Sequence, residues 1–394
     1  MKVGLFTYHF SDNYGALYQA YALRKWFQDQ NVTADFINYH PTYVEEGGPL
    51  DRPWNPALWR KNATILYMKQ SHLARRWFGD HSQKASFDAF RRDQLGVNGA
   101  RRLSATELQK DVADCKLLVC GSDQIWNPSI QRGLDPVYFL SIAGTDHARK
   151  VAYAPSFGRA SIEAKYHSQL AHMLGELDAI AVREDSGLDI IQTACGGANG
   201  ALVVPDPTIL LGQFDALLAD TLTRDDSTFC YALRTDETIR DVAETVQSEL
   251  GGPLISSRNS RQRWRDIGEG AAPGPVEWLQ MLARSKMVIS NSFHGIALSI
   301  VLNRPFIAVA LPGKRGSLNT RAQNLLKLSG LEDRMVLSSD AGQVRRLAAT
   351  PIDWEPVNTR LAAVRQTGAE FLQKQLAACS LEAGKPPASR RTCA

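Results

Sequence analysis

The sequence lacks the features that would mark several common classes of protein. It has no run of about eighteen apolar residues, so it predicts no membrane-spanning helix. Its six cysteines form no CxxC pair, which argues against a zinc site. It has no Walker loop and no GxGxxG, so nucleotide hydrolysis and dinucleotide binding have no support. There is also no HxxxH and no paired-carboxylate motif, and we expect neither a metal nor another cofactor.

The composition is that of a globular protein with little net charge. Apolar residues make up 44% of the 394 residues, and the formal net charge is +4, too small to indicate a nucleic-acid partner. Lys2 is followed by only a short apolar segment, which does not fit a signal peptide. We therefore expect a cytoplasmic protein with reduced thiols.

Short apolar runs alternate with helical patterns along most of the chain. Such alternation favours parallel sheets that are covered on both faces by helices. The predicted strands are 3–7, 36–39, 116–120, 150–153, 179–182, 201–204, 228–233, 253–255, 287–289 and 306–309. The pattern predicts two doubly wound Rossmann-like domains that face a cleft, at residues 1–205 and 206–355. A closing helix is expected at 356–383 and a disordered tail at 384–394.

Residues 43–110 interrupt this alternation. The segment is rich in tryptophan, arginine and lysine, and its apolar pattern is helical. It is interpreted as an insertion in the first domain. Two interpretations stay open: solvated helix faces with buried tryptophans, or a surface that meets an anionic membrane or a polyprenyl diphosphate.

The most informative segment is Ser-Asn-Ser-Phe-His-Gly at 290–295. It follows a predicted strand and precedes a helical pattern at 296–302. Free backbone N–H groups at a helix N-terminus favour an anion, and a histidine there can exchange a proton near neutral pH. His294 is therefore a candidate acid beside a phosphate-bearing substrate. The alternative is a helix capped by Ser292 with a histidine packed beneath it.

Five other segments form an ordered series along the chain with the segment 290–295, which we call the histidine turn. They are Asn-Tyr-Gly-Ala at 13–16, the run from Cys to Pro at 120–128, Ala-Tyr-Ala-Pro-Ser-Phe-Gly at 152–158, Arg-Glu-Asp-Ser-Gly at 183–187, and Asp-Pro-Thr at 206–208. Ligands of such sheets bind beyond the carboxyl ends of strands. Together with the histidine turn, the series resembles the polysaccharide pyruvyl transferase family from about residue 1 to about residue 335.

The resemblance implies a GT-B-like fold and a reaction. The pyruvyl group of phosphoenolpyruvate would move onto a sugar of a surface polysaccharide or of its lipid-linked precursor, with a ketal formed and phosphate released. It also implies that His294 is the acid, that Arg183 binds the carboxylate or phosphate, and that Lys314 is a further cation. The alternatives are that Arg183 only pairs with Glu184 or Asp185 and that Lys314 is a solvated loop lysine.

Other side chains around the histidine turn complete the predicted donor site. Ser292 and the backbone of Gly295 are expected to hydrogen-bond the phosphate. Arg321 is a further cation in the same region, although it also fits the start of the next helix. No cofactor other than the donor substrate is expected.

The acceptor side is predicted from two loops, the first after the predicted strand 3–7 and the third after the predicted strand 116–120. Asp123 could deprotonate a sugar hydroxyl, with N-capping of the following helix as the alternative. Gln124, Asp12 and Asn13 are expected to contact the acceptor glycan. Two other functions remain open: a glycosyltransferase that uses a nucleotide sugar on the same fold, and a non-catalytic relative that binds glycans.

Overall fold

The computed structural model describes most of the chain. It covers residues 1–45, 47, 50–78, 81–198, 200–218, 223–258, 267–313 and 319–381. Lys314 and the tail predicted at 384–394 lie outside the described residues, so both expectations stay predictions.

The first half of the chain forms a sheet of six parallel strands. They are β1 (Lys2–Phe6), β2 (Thr33–Phe36), β3 (Leu117–Cys120), β4 (Arg149–Tyr153), β5 (Ala179–Val182) and β6 (Leu202–Val203). Their order is β2-β1-β3-β4-β5-β6, with Leu5 in register with both Phe36 and Val119. Every residue of β3 is buried, as expected of a central strand with helices on both faces.

A second parallel sheet follows in the other half. Its strands are β7 (Thr228–Tyr231), β8 (Leu254–Ser257), β9 (Glu269–Ala271), β10 (Met287–Ser290), β11 (Phe306–Val309) and β12 (Met335–Val336). Their order is β12-β11-β10-β7-β8-β9. Apolar residues from both halves, including Leu5 and Val288, belong to one continuous buried cluster.

Helices cover these sheets and connect their strands. The described residues form α1 (Tyr14–Asp29), α2 (Thr42–Glu45), α3 (Trp59–Phe78), α4 (His81–Asp93), α5 (Gln109–Val112), α6 (Pro128–Gln131), α7 (His167–Gly175), α8 (Asp185–Cys195), α9 (Pro207–Leu211), α10 (Glu237–Leu250), α11 (Pro275–Arg284), α12 (Phe293–Val301), α13 (Thr320–Ser329), α14 (Ala341–Ala349) and α15 (Trp354–Leu381). In this part of the chain, no helix has both the length and the apolar content needed to cross a bilayer.

Some elements differ from the sequence-based prediction. β2 lies at Thr33–Phe36, three residues before the predicted strand, because it is an edge strand whose residues alternate between exposed and buried positions. Such a strand has no continuous apolar run to mark its start. The short edge strands β9 and β12 were not predicted, because β9 contains Glu269 and Gly270 and β12 is only two residues long.

The insertion contains α3 and α4, as its helical pattern predicted, but its tryptophans are not buried. The side chains of Trp54, Trp59 and Trp77 are largely exposed. The interpretation of this segment as solvated helices with buried tryptophans is therefore wrong about the tryptophans.

The two halves meet through the start of α1. The ring of Tyr14 stacks on Trp278 of α11, with 4.9 Å between centroids, and its hydroxyl donates to the Pro273 carbonyl at 2.7 Å. One turn later, the Tyr18 hydroxyl donates to the Pro275 carbonyl. The last helix, α15, also returns to the first half, where Arg149 donates to Gln375 at 3.0 Å. These contacts hold α1 against the start of α11, and β4 against α15.

Candidate active site between the two halves

Side-chain hydrogen bonds hold the turn before α12 in place. The Ser290 hydroxyl donates to the Tyr231 carbonyl at 2.8 Å and accepts from the backbone N–H of Ser292 at 3.1 Å. The Asn291 side-chain oxygen accepts from the Leu233 backbone N–H at 2.8 Å. These bonds tie the end of β10 to the end of β7, so the helix that carries the histidine starts at a rigid point.

His294 lies between the two halves of the molecule. Its side chain is 8% exposed, and Nε2 is 3.5 Å from Oδ2 of Asp206. Nδ1 faces α1, where a Cβ built on Gly15 would lie only 2.2 Å from it. Within the described part of the chain, Nε2 is buried and has no hydrogen-bond partner. Nε2 thus faces a carboxylate at ion-pair distance without a hydrogen bond that satisfies it.

Asp206 is a site residue to which sequence reasoning gave no role. Its carboxylate is fully buried and accepts from Thr208 N and Oγ1 at 3.0 and 2.8 Å, from Ser122 Oγ at 3.2 Å, and from Arg183 Nη1 at 2.9 Å. Burial alone would raise the pKa of Asp206. The charges of His294 and Arg183 and the hydrogen bond from Thr208 outweigh burial and hold the pKa far below its usual value.

A sequence signal for Asp206 did exist. Asp-Pro-Thr is the pattern of an N-cap followed by proline at the first helical position, and Asp206 indeed caps α9. The capping role explains the sequence pattern completely, so the pattern gives no sign of the contacts with Arg183 and His294. Those contacts are made by the second carboxylate oxygen with residues that are distant in sequence.

Arg183 makes the ion pair with Glu184 that was predicted as the alternative to its ligand-binding role, which stays a prediction. Its Nε donates to Glu184 Oε1 at 2.8 Å, which is the pair foreseen as the alternative, but its second partner is Asp206 instead of Asp185. Burial lowers the pKa of this guanidinium, whereas the charges of Glu184 and Asp206 raise it above its ordinary value overall. Nη2 is buried and unpartnered among the residues described. Because buried donors are usually satisfied, Nη2 is a candidate ligand donor.

Arg321 brings a second guanidinium to the same place. It is the second residue of α13, and both guanidiniums lie by the ring of Phe293, at 4.7 Å for Arg183 and 5.9 Å for Arg321. With the Gln124 amide oxygen turned toward α13, it accepts from both terminal nitrogens of Arg321 at 3.2 Å. Burial, followed by the charge of Arg183, lowers the pKa of Arg321. The site thus brings two positively charged guanidiniums, those of Arg183 and Arg321, close together.

The predicted acceptor residue Asp123 is not a helix cap. The following helix, α6, begins five residues later at Pro128, and Asn127 caps it by accepting from Ser129 N at 3.0 Å. The capping interpretation of Asp123 is therefore wrong. Asp123 instead has a positive φ of 70° and is half-buried. Its negative charge contributes to the raised pKa of Arg183, so it belongs to the same cluster.

The first loop has a structural role. Asp12 pairs with Arg91, and the Asn13 side chain caps α1 by accepting from Ala16 N at 3.3 Å. Asn13 is two residues from Gly15 and hence close to His294. The acceptor role of Asp12 and Asn13 stays a prediction.

The remaining donor-site residues lie at the start of α12. Ser292 occupies the N-cap position, but its side chain makes no capping hydrogen bond, so the predicted capping role is wrong. A Cβ on Gly295 would lie 2.3 Å from Ser290 Oγ, which leaves room for glycine alone. Lys314 lies outside the described residues. Over the ranges that the structure covers, no group of three His, Cys, Asp or Glu side chains could hold a metal ion.

Solved structures of similar fold cover almost the whole chain. The S. aureus MnaA–UDP complex has a TM-score of 0.51 at 8% identity, with 98% of each chain covered. The Methanocaldococcus jannaschii UDP-GlcNAc 2-epimerase in complex with UDP-GlcNAc and UDP has a TM-score of 0.52 at 10% identity, with 96% of this chain and 100% of that chain covered. At such identities the similarity concerns the fold alone, and it confirms the predicted GT-B-like arrangement.

Sequence comparison identifies the family. No curated protein matches the sequence significantly. The profile of the family described as polysaccharide pyruvyl transferase, however, matches residues 13–311. The matched region contains Arg183, Asp206 and His294, which the fold brings together between its two halves. Because the match spans most of the chain, the protein belongs to the polysaccharide pyruvyl transferase family.

Proposed function

We propose that this transferase moves the pyruvyl group of phosphoenolpyruvate onto two hydroxyls of a glycan sugar, forming a cyclic ketal and releasing phosphate. The observation that carries the proposal is the cluster of His294, Arg183 and Asp206, drawn from both halves of the molecule. His294 supplies a proton donor and Arg183 a buried cation with an unsatisfied N–H group. Family membership supports pyruvyl as the group transferred.

The donor site has the charge and the donors that phosphoenolpyruvate needs. This substrate carries a phosphate and a carboxylate close together, and burying such charges without partners is costly. In the proposed pose the phosphate lies at the N-terminus of α12, where the first backbone N–H groups lack intrahelical partners. The carboxylate accepts from Nη2 of Arg183. Arg321 adds a second guanidinium, and Lys314 is proposed as a further cation of the site.

The chemistry begins with proton transfer to carbon. The imidazolium of His294 gives a ring proton to the methylene carbon of phosphoenolpyruvate, the C=C electron pair forms the new C–H bond, and C2 becomes an oxocarbenium-like centre. One sugar hydroxyl adds to C2 and releases its proton to a base, for which Asp123 is proposed. The C2–O bond to the phosphate then breaks, its electron pair leaves with the phosphate, and the departing phosphate takes up the proton held by Asp123. The second hydroxyl closes the ketal and returns a proton to the imidazole.

Asp206 is proposed as a positioning residue in this reaction. Its carboxylate is held by four donors and cannot turn away without losing them. It therefore presents a fixed negative charge to the imidazolium of His294 and to the guanidinium of Arg183. One buried carboxylate thus orients both the proton donor and the cation that binds the donor substrate.

The donor substrate is tested directly with the purified full-length chain. Thermal unfolding is followed with phosphoenolpyruvate, with inorganic phosphate and with UDP-GlcNAc, because a ligand bound by the native state raises the melting temperature. Phosphate release is then measured against a panel of synthetic and lipid-linked glycosides, with ketal formation followed by mass spectrometry. We expect stabilisation by phosphoenolpyruvate beyond that given by phosphate, and phosphate release only with an acceptor.

Other outcomes of this experiment would refute the proposal. The solved structures of similar fold include complexes with UDP and UDP-GlcNAc. Stabilisation by UDP-GlcNAc alone, with sugar transfer, would favour a glycosyltransferase on the same fold. Glycan binding with no turnover of either donor would favour a non-catalytic relative.

A further inference from the structure

One face of α3 exposes a line of large apolar side chains. Trp59, Leu66, Leu73 and Trp77 all lie within about 40° around the helix axis, since each residue advances the helix by about 100°. The line runs for about 27 Å at 1.5 Å per residue. The packed side of the helix is marked by the buried residue Ile65, which lies about 80° or more around the axis from each residue of the line. We call the first set the α3 stripe.

The α3 stripe is too exposed to be part of the core. Its four side chains are between 53% and 72% exposed, and Trp54 just before the helix and Tyr67 beside the stripe are more than two-thirds exposed. The surfaces of soluble monomeric proteins rarely expose so many large apolar side chains in one patch unless the patch binds a partner or a membrane. Tryptophan and tyrosine are moreover the residues that favour a membrane–water interface.

The charge of this segment indicates which partner the stripe fits. The sequence of α3 has five Arg and Lys residues and no Asp or Glu, and residues 50–78 contain only Asp51 as an acid. A surface that combines exposed tryptophans with unbalanced positive charge is complementary to an anionic lipid surface. We propose that the α3 stripe docks this protein on the surface of an anionic membrane, with α3 lying in the plane of the interface.

The position of α3 relative to the cleft fits this partner. The helix packs on α2, which follows the carboxyl end of β2, and Met68 of α3 contacts Arg132, which follows α6 at the carboxyl end of β3. α3 therefore lies at the edge of the sheet from which the loops with Asp12 and Asp123 project. A membrane bound there would bring a lipid-linked acceptor to the same side as these loops. The docking itself does not depend on the proposed reaction.

The test is flotation of the full-length protein with lipid vesicles. Vesicles of phosphatidylcholine alone are compared with vesicles that also contain phosphatidylglycerol, at low and at high salt. We expect co-flotation with the anionic vesicles at low salt, and a loss of most binding at high salt or on neutral vesicles, because the electrostatic attraction is screened.

A matched pair of variants isolates the stripe. The double variant Leu66→Gln/Leu73→Gln keeps good helix-forming residues and should reduce the partition coefficient by about tenfold or more, since binding scales with the apolar area buried in the interface. Leu337→Gln is the control, because Leu337 is 75% exposed but lies after β12 in the other half. It should bind like the wild type. Melting followed by circular dichroism checks that both variants fold.

Several results would overturn the proposal. It fails if the wild type does not float with anionic vesicles, if the double variant binds them as well as the wild type, or if neutral vesicles bind equally at every salt concentration. A dimer that the double variant abolishes, found without vesicle binding, would assign the stripe to a second copy of the chain instead. Pyruvyl transfer to a water-soluble acceptor should be unchanged in the double variant, so membrane docking and catalysis can fail separately.

Discussion

The contact between Gly15 and His294 allows a sharp test of the candidate active site. Gly15 is the second residue of α1, and a Cβ placed on it would lie 2.2 Å from Nδ1 and 2.6 Å from Cγ of His294. Ordinary contacts of a Cβ are 3.4–4 Å. In the variant Gly15→Ala the imidazole must therefore move by about 1 Å or more, away from α1. A misplacement of about 1 Å can cost on the order of a hundredfold in rate.

The expected result is a loss of catalysis with little loss of stability. We expect kcat/KM for pyruvyl transfer to fall by about a hundredfold, which corresponds to about 2.7 kcal/mol of transition-state stabilisation. Alanine is a better helix former than glycine by about 1 kcal/mol, which offsets part of the strain in the folded state. The assay is steady-state phosphate release with an active acceptor, alongside denaturant unfolding of the same preparation.

Two controls separate displacement of the histidine from a general effect of the substitution. Gly342 is also the second residue of a helix, α14, and a Cβ there would meet only Asp340 Oδ1, at 3.5 Å. Gly342→Ala should keep wild-type activity. In a His294→Ala background, Gly15→Ala should cost little more, since both changes act on the same group. Wild-type kcat/KM in folded Gly15→Ala, or fully additive losses in the double variant, would refute the reasoning.

Two further predictions concern His294 and Arg183 in the candidate active site, and a third concerns the buried residue His9. His294→Ala should reduce turnover by on the order of a hundredfold or more, and His294→Gln should keep the fold but not the activity, as circular dichroism and phosphate release will show. Arg183→Lys should raise KM for phosphoenolpyruvate, because a forked guanidinium is replaced by a point charge; an unchanged KM would remove Arg183 from the donor site. Burial lowers the pKa of His9 from 6.5 to about 4, so the unfolded chain binds a proton that the folded protein resists, and stability should fall by about 3 kcal/mol as pH drops from 6.5 to 4. Urea unfolding across that range checks this, and in His9→Gln this part of the pH dependence should vanish.

The fold was predictable from sequence because its central strands are marked by composition. Strands such as β3 and β10 are buried on both faces and read as short apolar runs, each followed by a turn and a helical pattern. The edge strands β2, β9 and β12 carry no such mark. Their placement depends on hydrogen bonds to the neighbouring strand, which local sequence does not specify.

The candidate site was predictable only as separate parts. The sequence by itself located His294 at a strand-to-helix turn and Arg183 at a strand end, because both positions follow from local patterns and from the family resemblance. Only the tertiary structure decided that they share the carboxylate of Asp206, that Gly15 must be a glycine to leave room for the imidazole, and that the tryptophans of α3 face outward. The first two depend on how the two halves dock, and the third depends on which face of α3 packs on α2 in the first half.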